Sequence, residues 1–327
     1  MTLTHMGNFL DPAILFFVFG MAAGLLKSNL DIPQPISRFL SLYLLMALGL
    51  KGGFALAKSG INTEVVIALC AALGLAFLIP ACAYLLLRRF LNGFDAAAVA
   101  ATYGSVSAVT FITAVQHLDN LGVAYGGHMA AAMALMESPA IVMAVVLANY
   151  VRRQAVHSGV PARGTLRHVL HESLTDGAQL LLLGAMAIGM ATGASGEAVM
   201  KPFSVDLFKG MLAFFLLDMG LQAARNVGGL KGQSAWLFVY AVAAPLAHAG
   251  LALLLGWSLG MSPGNTALLM VLAASASYIA VPAVVRQTIP EANPSLYFGM
   301  SLGLTFPLNI LLGIPLYTEV ARRVLGA

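Results

Sequence analysis

Apolar stretches long enough to cross a bilayer recur along the whole of this chain, and they limit its fold more than any other feature. A helix needs roughly 17 to 25 mostly apolar residues to cross a hydrocarbon core about 30 Å thick. Only 9% of the 327 residues are charged, whereas about a quarter are charged in soluble domains. The stretches are continuously apolar rather than alternating, which indicates helices and not a barrel. We therefore predict an all-α polytopic membrane protein.

The apolar stretches predict ten transmembrane helices, of which the fourth and the ninth are interrupted. Asp11 precedes the first stretch and no basic segment does, so we expect a first span rather than a cleaved signal peptide. The predicted spans are 12–26, 36–57, 63–88, 96–118, 125–150, 174–193, 206–223, 234–258, 265–289 and 294–319.

The distribution of basic residues predicts the orientation. With ten spans, the 17 Lys and Arg residues divide into 11 on one side and 6 on the other. The richer side is expected to be cytoplasmic, which places both termini outside a bacterial inner membrane. The excess of positive charge thus reports topology and gives no reason to expect nucleic acid as a partner. The longest polar connection, 152–172, is predicted to be a cytoplasmic linker.

An internal repeat relates the two halves of the chain, 1–151 and 173–327. At an offset of about 170 residues, Gly49 aligns with Gly220 and the segment 105–107 (SVS) aligns with 275–277 (SAS). Five spans in each half is an odd number, so the second half enters the membrane from the opposite side. This predicts two inverted five-helix repeats, an architecture typical of secondary transporters.

The two interruptions are candidate binding elements. Residues 103–110 (YGSVSAVT) and 274–282 (ASASYIAVP) place small and hydroxyl residues inside apolar spans. A broken helix presents backbone N–H groups and its positive dipole end to an anion, and freed carbonyls with hydroxyls suit Na⁺. Serine and glycine also occur where membrane helices simply pack closely, and this alternative stays open. The equivalent positions of the two segments in the repeats favour the binding interpretation.

Three ionisable residues lie deep in predicted spans. Glu137 and Asp218 are candidates for cation coordination or proton coupling, with a structural pair as the alternative, and His248 is expected to form a structural hydrogen bond. The sequence has no nucleotide-binding loop, no zinc-ligand spacing and no GxSxG motif. We therefore expect no enzymatic activity, no metal centre and no cofactor apart from a coupling ion.

At these positions the chain resembles the sodium-dependent bicarbonate transporter family of photosynthetic and related bacteria. The similarity runs in the same order over nearly the whole chain. The patches that carry it are 49–53 (GLKGG), 104–107 (GSVS), 136–140 (MESPA), 244–248 (APLAH) and 273–317, with 289–295 (IPEANPS) inside the last.

The resemblance implies a core domain that moves against a gate domain, a homotrimer, and Na⁺-coupled bicarbonate uptake where two broken helices cross near the midplane. It places Na⁺ near Ser107, Thr110 and Ser277. The residues expected to bind substrate are Gly104, Ser105, Val106, Ser107, Thr110, Ser275, Ala276, Ser277 and Tyr278.

The chain departs from the family in the second break. Family members commonly carry SSSDISGP there, so Tyr278 stands where they have aspartate. The function predicted is Na⁺-dependent uptake of bicarbonate or another small anion. The alternatives are a relative with altered coupling or a different organic or inorganic anion, and a non-transporting sensor or channel. The linker has only about 20 residues, so docking of a PII-like regulator is not expected.

Overall fold

The computed structural model describes residues 11–60, 62–154, 177–227 and 233–326, and this part of the chain forms helices and no strands. A π-helical turn, Pro202–Asp206, joins α7 to α8, and α12 contains two further π-helical segments. The helices are α1 Pro12–Leu25, α2 Gln34–Ser59, α3 Thr63–Leu87, α4 Gly93–Gly104, α5 Ala108–Leu121, α6 His128–Gln154, α7 Gly177–Lys201, α8 Phe208–Val227, α9 Ala235–Ser258, α10 Pro263–Ala274, α11 Ala280–Thr288 and α12 Pro294–Leu325.

These helices correspond to the ten predicted spans, with α4 and α5 forming the fourth and α10 and α11 the ninth. Among the described residues, seven helical stretches are long and apolar enough to cross a membrane, while α1 and α10 are apolar but shorter. The sixth span was predicted to end at 193, where Gly193 has φ 55° and kinks α7. Glycine adopts this left-handed backbone without a Cβ clash.

The end of α6 differs from the prediction. The linker was expected to begin at residue 152, but the helix continues to Gln154. Arg152 is only 3% exposed because its guanidinium pairs with Glu291 at 2.9 Å and donates to the carbonyl of Thr288 at 2.7 Å. The rest of the predicted linker, from 155 onward, lies outside the described residues.

Four helices, α1, α2, α7 and α8, form what we call the four-helix unit. Helix α1 packs along α8 and α2 packs along α7, and α2 also contacts α8. The α2–α7 contact is close because Gly53 faces the backbone of α7, where a Cβ at residue 53 would lie 2.1 Å from the carbonyl oxygen of Met186. Small residues permit such backbone approach between membrane helices.

The other helices, α3 to α6 and α9 to α12, form what we call the larger unit. Helix α3 packs against α4 and α6, and α9 packs against α10. Both interrupted spans belong to this unit, and nearly every residue of α4 and α10 is buried in it. The candidate site lies where the larger unit faces the four-helix unit.

Candidate functional site at the two helix breaks

The two helix breaks lie against each other and exchange hydrogen bonds. The backbone N–H of Ser277 donates to the carbonyl oxygen of Thr102 at 2.9 Å. The backbone N–H of Ser107 donates to Oγ of Ser275 at 3.0 Å. Each break therefore supplies polar partners that the other lacks because its helix is interrupted. These hydrogen bonds fix the two interrupted spans, α4–α5 and α10–α11, relative to each other.

The second halves of the two spans begin at the crossing. Oγ of Ser107 caps α5 by accepting from the N–H of Thr110 at 3.2 Å and from its hydroxyl at 2.9 Å. Oγ of Ser277 accepts from the N–H of Val281 at 3.3 Å, near the start of α11. The first N–H groups of a helix have no partner within it, and the dipole adds positive potential there. The crossing is thus suited to an anion.

A cavity of about 260 Å³ adjoins the crossing and separates the larger unit from α2 and α7. It reaches Ala178, next to the first residue of α7, and thus the side of the molecule where α7 begins. The residues lining it are Ser41, Leu45, Val106, Ser107, Ala108, Met133, Ala134, Glu137, Ile141, Ala178, Gln179, Leu182, Ser277, Tyr278, Ile279, Ala280, Ala283 and Val284.

The structure divides the predicted substrate-binding residues into two groups. Four of them line the cavity: Val106, Ser107, Ser277 and Tyr278. The others are buried behind its wall, and they are Gly104, Ser105, Thr110, Ser275 and Ala276.

Two members of the second group have visible structural roles. Gly104 contacts the ring of Pro80, which a Cβ at residue 104 would approach to 2.6 Å. Oγ of Ser275 donates to the carbonyl of Leu272 at 2.9 Å in addition to accepting from Ser107. Ser105 differs, because its Oγ is buried and has no hydrogen-bond partner among the described residues.

Glu137 and Asp218, the two predicted coupling candidates, occupy different environments. Glu137 lines the cavity, and Nε2 of Gln179 donates to its carboxylate at 2.8 Å. Asp218 is 4% exposed, does not line the cavity, and accepts hydrogen bonds from Ser37 and, at 2.9 Å, from Gln222. Its donors all come from the four-helix unit, so it resembles a structural pair more than a cavity ligand.

Comparison with known proteins identifies the family. A sequence model described as the Na+-dependent bicarbonate transporter superfamily matches residues 12–322, which include both helix units and both breaks. The chain belongs to this superfamily. No curated protein sequence matches the chain significantly. Membership in the bicarbonate transporter superfamily confirms the resemblance noted in the sequence and makes the chain a multi-pass membrane transporter, in a family whose transported ions are Na⁺ and bicarbonate.

Within this transporter, Tyr278 lies between the second break and the four-helix unit. Its ring packs edge-on against Phe306 with centroids 5.2 Å apart, and its hydroxyl lies 3.7 Å from Sδ of Met219. A neutral phenol therefore stands where the resembling proteins carry a carboxylate. Among the described residues that line the cavity, Glu137 is the one carboxylate, and no Lys, Arg or His accompanies it.

Two polar residues that line the cavity of the transporter were missed from the sequence. Ser41 of α2 and Gln179 of α7 come from the four-helix unit and face the breaks across the cavity. Gln179 is an amide within a predicted apolar span, and that unusual polarity was the available signal. Ser41 gave none, because serines are common in membrane helices.

The remaining polar candidate, His248 of α9, lies away from the cavity. Its ring lies near the backbone of Ala273, toward the end of α10, and its Nδ1 is buried without a hydrogen-bond partner among the described residues. In the part of the chain that the structure describes, no group of three or more His, Cys, Asp and Glu residues is placed to hold a metal ion. Hydroxyls, carbonyls and the Glu137 carboxylate are the oxygen ligands the cavity region offers to a cation.

Proposed function

We propose that this chain is a secondary active transporter that takes up bicarbonate, or a similar small anion, together with Na⁺ across the bacterial inner membrane. One observation carries the proposal: the starts of α5 and α11 meet at a cavity that lies between two separate packing units. Helix starts supply the positive potential an anion needs where no basic side chain is available.

Movement of the larger unit relative to the four-helix unit would carry the crossing from one side of the membrane to the other. The cavity at the crossing lies between the units on the side where α7 begins, which we assign to the cytoplasm from the charge distribution. In this assignment the structure represents a cytoplasm-facing conformation, with both termini outside.

The inverted repeat is supported by equivalent packing in the four-helix unit. Gly49 of α2 faces α7, where a Cβ would lie 2.4 Å from the carbonyl oxygen of Leu182. Gly220 of α8, its counterpart in the sequence repeat, faces α1, where a Cβ would lie 2.3 Å from the carbonyl oxygen of Phe17. In each proposed repeat, the second helix (α2 or α8) therefore packs on the first helix of the other repeat (α7 or α1). The contact is made by glycines at equivalent positions, Gly49 and Gly220.

The proposal is tested by uptake into liposomes that contain the purified protein. We expect saturable accumulation of radiolabelled bicarbonate when an inward Na⁺ gradient is imposed, and little when K⁺ replaces Na⁺, with protein-free liposomes as the control. Absence of uptake by protein that shows a cooperative thermal unfolding transition would contradict the bicarbonate assignment. Binding without accumulation would indicate a sensor.

A second candidate substrate is a larger organic anion. The cavity walls are mostly apolar, and Tyr278 adds an aromatic surface beside the break. A carboxylate with a short apolar chain would use both the helix starts and these walls. Inhibition of bicarbonate uptake by butyrate but not by formate, or uptake of butyrate alone, would favour this substrate class.

We further propose that Glu137, and not Asp218, holds the coupling cation. Replacing Glu137 by glutamine removes the one carboxylate among the described cavity residues, so the Na⁺ concentration for half-maximal uptake should rise about tenfold, equivalent to roughly 1.4 kcal/mol of cation binding. The measurement is initial uptake rate against Na⁺ concentration. Uptake driven by a proton gradient in the unmodified protein would assign Glu137 to proton coupling instead.

The matched control is Asp218→Asn, which also neutralises a buried carboxylate. Ser37 and Gln222 both donate to Oδ2, which the amide oxygen of asparagine can replace, so both hydrogen bonds can remain and thermal stability should fall only by the loss of their charge assistance. The Na⁺ dependence should stay unchanged. A larger change in Na⁺ dependence for Asp218→Asn than for Glu137→Gln would reverse the assignment.

A further inference from the structure

An ion pair joins the two units on the side of the molecule opposite the cavity. Nζ of Lys51, on α2, lies 2.7 Å from Oδ2 of Asp119, near the end of α5. The other carboxylate oxygen of Asp119 accepts from the hydroxyl of Tyr125 at 2.8 Å. Burial and the neighbouring Asp119 raise the pKa of Tyr125, so its phenol stays protonated and donates. Nζ of Lys51 also lies 5.2 Å from the ring centroid of Phe208.

A second polar contact joins the units beside the first. Nζ of Lys209, on α8, donates to Oδ1 of Asn120 at 2.7 Å. Nδ2 of Asn120 donates to Oδ2 of Asp11, the cap of α1, at 2.8 Å. Two successive residues of α5 therefore bind three helices of the four-helix unit. The ion pair is partly shielded, with Lys51 22% and Asp119 33% exposed.

The position of these contacts relates them to the helix breaks. Helix α5 is capped by Ser107 in the crossing and ends just after Asp119 and Asn120. Its 14 residues span about 21 Å. One end of this helix lies at the cavity, where the units are separated. The other end is tied to the four-helix unit by the Lys51–Asp119 ion pair, although a second cavity of about 420 Å³, lined by both of these residues, also lies between the units there. A rigid helix cannot move at one end without affecting these ties.

We propose that the Lys51–Asp119 ion pair, with the adjacent Lys209–Asn120 contact, is a latch that stabilises the conformation in which the cavity faces the linker side. The latch must open before the crossing can face the Lys51 side. This inference rests on the proposed function, because it assumes that the larger unit moves between two positions. The inference names residues that stabilise one of these two positions of the larger unit.

The test measures which side of the membrane reaches the cavity. Cys70 and Cys82, both exposed on α3, are first replaced by alanine, and Ser41→Cys places a thiol in the cavity. A membrane-impermeant maleimide is then applied to sealed vesicles from the Lys51 side. Lys51→Glu should increase labelling from that side about fivefold. Loss of a partly shielded ion pair is expected to raise the fraction of molecules whose cavity faces the Lys51 side by about this factor. The double variant Lys51→Glu/Asp119→Lys should return labelling to its starting rate.

The matched control is Lys58→Glu, on the same helix. Lys58 pairs with Glu197 at 2.6 Å, but both residues belong to the four-helix unit, so this reversal breaks no contact between units. Labelling should not change. An equal increase in Lys58→Glu, no increase in Lys51→Glu, or no recovery in the double variant would overturn the latch. Lys51→Met removes the charge without adding repulsion and should also increase labelling. This variant replaces Lys51→Glu in the experiment if Lys51→Glu does not fold.

Labelling uses no transported ion, so the two proposals fail in different ways. Increased labelling in Lys51→Glu without bicarbonate uptake by the parent protein would remove the substrate assignment and keep the latch. Bicarbonate uptake with unchanged labelling would keep the function and remove the latch.

Discussion

Replacing Ser107 or Ser277 by leucine is expected to reduce Na⁺-dependent bicarbonate uptake to the level of protein-free liposomes. Both hydroxyls lie at the crossing and both residues line the cavity of about 260 Å³. Leucine would place an apolar side chain where the helix starts present their N–H groups, and an anion cannot lose its water there without replacement partners. Initial uptake rates at saturating Na⁺ provide the measurement.

The control for these variants is Ser258→Leu. Ser258 is exposed at the end of α9 and bonds only locally, to the carbonyl of Leu255. The same chemical change there should leave uptake within about twofold of the unmodified protein, since surface substitutions usually have small effects. Full uptake in both Ser107→Leu and Ser277→Leu would show that the substrate binds elsewhere.

A milder pair of variants separates binding from helix capping. Ser107→Ala removes the cap of α5, and Asn92→Ala removes the cap of α4 in the same interrupted span. Each should destabilise the protein by about 1 kcal/mol, the usual effect of losing a cap. Only Ser107→Ala should lower uptake, because Asn92 is at the far end of α4 from the cavity. Similar uptake in the two variants would limit the role of Ser107 to capping.

The spans were predictable because apolar length is a local property of the sequence, and so were the two breaks. The exact ends of the helices were less predictable. Arg152 was assigned to a polar linker because a charge ordinarily ends a membrane helix. It lies instead inside α6, where Glu291 neutralises it from a position 139 residues away in the sequence. A local pattern contains no information about such a partner.

The cavity was only partly predictable for a related reason. Polarity marked Ser107 and Ser277, but helix rotation decides which hydroxyls face the cavity. Ser105 and Ser275 are each two residues away from these and point behind its wall. Glu137 and Asp218 were given the same candidate role from the sequence, but Glu137 of α6 lines the cavity whereas Asp218 of α8 accepts from Ser37 of α2. Gln179 became significant only when α7 was seen to lie opposite α6 across the cavity.

The altered second break can be understood from the charges around the cavity. A transported anion and Na⁺ together are neutral, and an apolar cavity favours such a pair over either ion alone. The proteins that this chain resembles place a carboxylate in the break itself, where Tyr278 stands here. Glu137 offers a carboxylate from the opposite wall of the same cavity. If Glu137 holds the coupling cation as proposed, the cavity keeps a negative charge for it despite the loss of the acid at position 278.

Replacing Gly53 by leucine is expected to prevent α2 and α7 from packing, with loss of folded protein and of uptake. A Cβ at this position would lie 2.1 Å from the carbonyl oxygen of Met186 and 2.9 Å from Cα of Gly189. Both neighbours are backbone atoms, which cannot turn aside as a flexible side chain can. Overpacking usually costs about 1–3 kcal/mol, and separation of two backbones should exceed this range. Thermal unfolding of the purified protein should therefore show a midpoint lower by roughly 10 °C or more.

The matched control is Gly74→Leu in the middle of α3, where a Cβ would have no neighbour within 4 Å. It introduces the same side chain into a helix of similar length, so changes in helix propensity and hydrophobicity are shared between the two variants. Gly74→Leu should fold and transport normally. If Gly53→Leu were equally stable, α2 and α7 would have to tolerate a wider separation than their contact shows. The four-helix unit would then not be the rigid partner against which the larger unit moves, because Ser41 and Gln179 face the cavity from these two helices.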